Sequence, residues 1–168
     1  MDSDTMLAFV RFHAWANDKI LTTAAGLTDD EFRRPANLDH TTAFDTVRHL
    51  VDVDWSWHEA CIGHNVGDKY VWDFGHVLDD LGSLHAFCLE EDARLRAYVE
   101  SLDEGTLNDP MVLSDDFQPP RWLVLAHIVN HGSQHRSELA RYLTECGHSP
   151  GDLDLLDALE LPWPTTRG

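Results

Sequence analysis

Four long stretches of the sequence repeat apolar residues every three or four positions, and no strand-length run alternates apolar with polar residues convincingly. A chain with that period buries one stripe per helix and has little to offer a sheet. The spacing predicts a first helix over 4–25, with Leu7, Val10, Ala14, Ile20 and Leu21 in its stripe and Gly26 as its stop. A second begins at Thr41 or Thr42, both good N-caps, and runs to Cys61, lined by Phe44, Val47, Leu50, Val51 and Trp55. A third covers 78–102, and a fourth starts at Pro119-Pro120 and continues to Cys146. A shorter helix is expected within 152–161. The connections 26–40, 64–77 and 104–118 are longer than the two to eight residues usual between bundled helices. The expected fold is therefore all-α: a single-domain four-helix bundle over 1–168, with a crossover connection and a short C-terminal helix.

Composition excludes several function classes. A formal charge of -18 repels nucleic-acid phosphates and anionic membrane surfaces alike. That balance fits either a high-salt cytoplasm or a genome that favours Asp and Arg codons. The charge is spread along the chain and reads as a solvated surface. The opening MDSDTM is acidic and resembles no signal peptide, and no apolar run reaches the ~18 residues of a membrane span, so a cytoplasmic location is expected. Cys61, Cys88 and Cys146 are odd in number and form no CxxC pair, which suits reduced thiols better than disulfide or zinc-finger partners.

Histidine supplies 11 of 168 residues, and its placement matters more than its number. The fourth helix carries HIVNHGSQHRSEL, with His127, His131 and His135 at successive steps of four. Each step turns a helix by about 40°, so neighbours share a face and can chelate one ion. The outer two are about 80° apart in direction and about 12 Å apart along the axis, so a third ligand must come from another helix. His49, within TVRHLVDVDW on the second helix, is the candidate. Two imidazoles from one helix and one from another leave a coordination position open, which suits zinc, nickel or another divalent transition metal and disfavours calcium. The spacing by itself fits two solvated or hydrogen-bonded histidines equally well. Gly132 follows His131 where a zinc protease has Glu, so the HExxH base is absent and proteolysis is not expected. Gly132 instead permits a close approach.

These residues resemble the DinB-like metal-binding bundles, the DinB/YfiT family. The likeness is carried by Phe12, His13, Trp15, Ala16, Asn17 and Ile20 near the start, by Ala43–Leu50 with Asp52, Asp54 and Trp55, by HIVNHGSQHRSELARYL over 127–143, and by the ending from Cys146 to Leu156. It implies a bundle that is commonly a homodimer, with one metal held by His49, His131 and His135. His127 falls where relatives often have a histidine that is not counted as a ligand. Ser137 departs from the family's frequent Gly and bears on packing beside the site.

An open metal position can ionise a bound thiol or water. Some bundles of this family resemble thiol-dependent transferases or isomerases. The expected activity is therefore transfer of a low-molecular-weight thiol to an electrophilic small molecule, with hydrolysis as a lesser variant. The competing reading is a non-catalytic metal-binding or stress-response dimer. Asp45 and Asp52, about one turn either side of His49, are candidate bases or orienting groups, and exposed helix carboxylates explain them too. Arg136 can anchor a substrate carboxylate or simply pair within the bundle. Trp55, Trp57 and Trp122 can wall a pocket or pack in the core.

Overall fold

The computed structural model describes residues 1–64 and 66–160. Four long helices dominate: α1 (Ser3–Ala24), α3 (Ala43–Cys61), α4 (Leu81–Glu100) and α6 (Arg121–Glu145). Two short helices, α2 (Asp29–Arg33) and α5 (Glu104–Asn108), interrupt the connections, and 3-10 turns occur at Val71–Phe74 and Asp157–Glu160. Among the described residues there are two isolated bridges, Pro110 with Pro120 and Ser114 with Phe117, and no strand. No described helix is long and apolar enough to cross a membrane.

The helix ends follow local chemistry. Asp2 caps α1 by accepting from the Thr5 amide, Thr42 caps α3 through the Asp45 amide, and Asp80 caps α4 through the Ser83 amide. Asp80 is why α4 begins at Leu81 rather than at 78 as the periodicity suggests. At the far end of α6, Gly147 takes φ +89°, a left-handed position that glycine adopts without steric cost. The expected C-terminal helix is reduced to the 3-10 turn, and Leu161 and Pro162 lie outside the described residues.

Each long helix passes through two apolar clusters. One contains Ile20, Leu21, Val47, Val51, Leu84, Leu139 and Leu143, and the other Met6, Val10, Leu95, Val99, Leu125 and Ile128. α1 and α6 meet the second cluster first, whereas α3 and α4 meet the first cluster first, so the pairs run in opposite directions. α1 packs on α4 and α6, and α3 packs on the same two, which places α1 and α3 across a diagonal. The adjacent helices α3 and α4 run the same way, so the connection from 62 to 80 must travel the length of the bundle. It is the crossover.

Between the clusters lies a polar layer of His13, Asn17, Asp54, Asp92 and Arg136, one or more residues from each long helix, all buried. The face of α1 is accordingly Met6, Val10, His13, Asn17, Ile20 and Ala24. Leu7 and Ala14, expected in that stripe, are only half-buried. The bundle has a buried polar seam.

Candidate metal centre

His49 projects from α3 and His131 and His135 from α6, and the packing of these helices brings the three rings to one place. The Nε2 atoms of His49 and His131 are 3.2 Å apart, and so are those of His131 and His135. Ring centroids lie 5.1 Å apart for 49 and 131, 4.5 Å for 131 and 135, and 4.9 Å for 49 and 135. Two nitrogens bound to one tetrahedral ion at the usual ~2.0 Å stand about 3.3 Å from each other. The observed separations match that edge. The alternative, hydrogen bonding among the rings, fails at His131: a neutral ring nitrogen has either one proton or one in-plane lone pair and cannot fully serve two neighbours.

Burial keeps the His49 and His131 rings uncharged. Desolvation, followed by the neighbouring histidines, pulls both His49 and His131 down to about 4, with Asp54 acting in the opposite direction. Neutral imidazole is the form that ligates. The far nitrogens are also informative. His131 Nδ1 and His135 Nδ1 are buried without a hydrogen-bond partner, as is Oε2 of Glu138. Glu138 lies one turn beyond His135, with Oε2 3.5 Å from Nδ1. A small shift makes it the outer carboxylate that fixes a ligating histidine's tautomer.

A fourth imidazole was not evident from the sequence. His40, in the loop before α3, stacks on His49 with centroids 3.8 Å apart and an interplanar angle of 25°. Ligand atoms of His40, His49 and His135 all lie within 4.8 Å of one another, so the cluster contains a second possible three-histidine set. In the set with His131, that residue's Nε2 lies 3.2 Å from each of the other two, whereas His40, His49 and His135 form the three-histidine group whose ligand atoms are all mutually close. No periodicity marks a loop residue, and His40 carried no signal beyond its type.

The remaining sequence candidates lie elsewhere. Asp45 is exposed and occupied in the cap of α3, accepting from Thr42 Oγ1 at 2.6 Å. Asp52 is buried and accepts the Val71 amide at 2.7 Å, pinning the crossover; burial pushes its carboxyl up. Arg136 is 2% exposed and faces the polar layer, with no surface for a substrate. Its Nη1 donates to Asn17 Oδ1 at 2.6 Å and meets His13 Nδ1 at 3.1 Å, and Nη2 donates to Ser133 Oγ at 3.0 Å. Because a guanidinium only donates, His13 Nδ1 accepts and Nε2–H points to Asp54 Oδ2, 2.9 Å away, with Asn17 Nδ2 3.0 Å from the same nitrogen. Asn17 Nδ2 donates to Asp92 Oδ1 at 3.2 Å. Burial foremost pushes Asp92 up to about 6. Gly132 is the room this layer needs: a Cβ there would stand 2.5 Å from Arg136 Nη1 and 2.6 Å from the His13 ring. The close approach allowed by Gly132 is thus made by side chains of the bundle. The layer was readable in part, since His13 and Asn17 continue the apolar stripe between Val10 and Ile20.

His127 is exposed and packs on Trp57, with centroids 5.2 Å apart, and its ring is 5.9 Å from that of His131. Those two residues, with Leu113, Phe117, Pro119 and Leu123, line an apolar groove of about 300 Å³. Trp57 is therefore a wall residue, whereas Trp55 is buried in the core and Trp122 packs against the second apolar cluster. Cys61 and Cys88 are buried free thiols, and burial pushes Cys61 up to about 12 and Cys88 well above its usual value. Neither is a nucleophile in that state.

The sequence profile of the DinB family matches residues 1–166. No curated protein matches the chain at a significant level.

Proposed function

The chain belongs to the DinB family, and on that premise we propose that it holds one divalent transition metal, zinc or nickel, through His49, His131 and His135. The reading extends to a metal-dependent transferase that joins a low-molecular-weight thiol to an electrophilic small molecule. The observation that carries it is His131 Nε2, which stands 3.2 Å from both His49 Nε2 and His135 Nε2 with no tautomer able to satisfy the two together. A bound divalent ion supplies Lewis acidity that keeps a thiol ionised near neutral pH.

The protein's own groups have narrower tasks. Burial holds His49 and His131 neutral and ready to ligate. Glu138, 3.5 Å from His135 Nδ1, is the carboxylate a small shift would bring into place to orient that ring. The groove beside Trp57 and His127 offers an apolar wall to the electrophile. Cys61 and Cys88 are buried and protonated, so neither is the nucleophile, and the reading takes an exogenous thiol for that role.

One observation favours the second reading, a metal-binding dimer without turnover: Asp45, Asp52 and Arg136 are all engaged in structural contacts. Elemental analysis of untagged protein tests the metal, with about one equivalent expected and loss of it in His49→Ala. Turnover of a model electrophile with glutathione, mycothiol or bacillithiol tests the transferase. Activity that needs the metal and disappears in His135→Ala supports it, and rates indifferent to metal removal refute it.

A further inference from the structure

His40 stands apart from the other clustered histidines because a loop, and not a helix, presents it. That loop is anchored on both sides of it. Leu38 is buried in the first apolar cluster, and the Asn37 carbonyl accepts from Arg141 Nη2. Asp39 Oδ2 accepts from Gln134 Nε2 at 3.4 Å. Both donors belong to α6, the helix that carries His131 and His135. On the other side, Thr42 is the N-cap of α3, the helix that carries His49. His40 therefore bridges the two elements that supply the other imidazoles.

The residue after it is Thr41, at φ +70°, the one non-glycine with positive φ among the described residues. A β-branched residue rarely adopts that region, and it persists where surrounding contacts dictate the chain path. Here the path turns His40 inward over His49.

The present pose of His40 is close to the centre without being a ligand pose. Its ring lies nearly face to face with His49, so the in-plane lone pairs of the two rings run side by side and do not aim at one point, although its ligand atom is near those of His49 and His135. Nitrogens on one ion stand about 3.3 Å apart and aim their lone pairs at a common point. A change of side-chain rotamer, with the loop left in place, is the scale of movement needed.

We propose that His40 is a displaceable fourth ligand: it closes the open position of the metal centre at rest and withdraws onto the face of His49 when an exogenous ligand enters. This rests on the metal-binding reading above and adds to it a gate. The gate would protect the centre from adventitious small anions while leaving it open to a thiol that binds more strongly.

The test uses the full chain loaded with Co(II) and azide as the exogenous ligand. Visible absorption reports coordination number, and an azide titration reports how accessible the fourth position is. If His40 occupies that position about nine-tenths of the time, the apparent azide Kd is about tenfold higher than without it. His40→Ala should therefore bind azide about tenfold more tightly than wild type and show a changed Co(II) spectrum before azide is added. His40→Gln, which fills most of the same volume, should behave like the alanine variant and excludes a collapsed loop as the cause. Equal azide affinity in all three proteins overturns the proposal while leaving the three-histidine centre standing. Failure of wild type to take up Co(II) at all overturns both.

Discussion

Two polar clusters lie side by side in this bundle, and they are built on opposite principles. In the layer formed by His13, Asn17, Asp54, Asp92 and Arg136, donors meet acceptors at every residue, with Asp54 Oδ1 alone left over, and the charge of a guanidinium offsets that of two carboxylates. Among His40, His49, His131 and His135 there are only imidazoles, and the Nε2 atoms of the last three converge. The first cluster supplies its own cation. The second consists of lone pairs with no cation of its own, the feature on which the proposed metal site rests. Burial of polar groups thus has two outcomes in a single core, and what separates them is whether the group is charge-complementary within itself.

Breaking the layer should have the largest effect. Arg136→Met strips Asn17 Oδ1 and His13 Nδ1 of their donor and removes the buried cation whose charge offsets Asp54 and Asp92, and should cost about 3–5 kcal/mol, read from urea unfolding. A loss below about 1 kcal/mol would mean that the layer is not self-compensating. Next comes His131→Ala, which removes the central nitrogen of the other cluster. Metal affinity should fall about a hundredfold, roughly 3 kcal/mol, in chelator competition, because even outer-shell changes cost 10–100-fold. Stability of the metal-free protein should hardly change. Should both clusters respond alike, by unfolding, the contrast between them is wrong.

Gly132→Ala probes the contact between them and should cost about 1–3 kcal/mol in thermal unfolding, since its Cβ would press on Arg136 and His13. Glu138→Gln should weaken metal binding about tenfold with unfolding of the metal-free chain unchanged. The gentlest perturbation is pH. His49 and His131 sit at about 4 in the fold and near 6.5 when unfolded, so the unfolded chain takes up protons first as pH falls. Stability of the metal-free protein should decline from about pH 6.5 toward 4. The double variant His49→Ala, His131→Ala should lose that slope, and an unchanged slope would place its origin elsewhere.

Much of the fold was legible because it is written in periods. The four long helices fall within a few residues of their expected ends, and the differences trace to particular caps such as Asp80. The crossover was legible as an overlong connection, but the short helices in the other two connections were not identified. α2 had a readable signature, the capping box of Thr28 and Glu31. Five residues are too few for a periodic signal, and α5 was hidden for the same reason. His49, His131 and His135 could be singled out because two share a helix face and the third sits in an apolar run. His40 could not, because its place depends on a turn at Thr41 and on anchors from α6 that are distant in sequence. Nothing in the sequence singled out Asp54 and Asp92 as buried, since only the partners supplied by α1 and α6 make their burial tolerable.

The polar layer also keys the helices to one another. Apolar side chains tolerate sliding, whereas a guanidinium seated against His13 and Asn17 has a single acceptable axial position. His135 immediately precedes Arg136 in the chain, and Asp54 lies five residues beyond His49. A slip of α6 by one turn, about 5.4 Å, would carry the imidazoles of 131 and 135 past that of 49. The seam therefore sets the bite of the chelate from a few residues away, and metal preference becomes tunable by substitutions that touch no ligand.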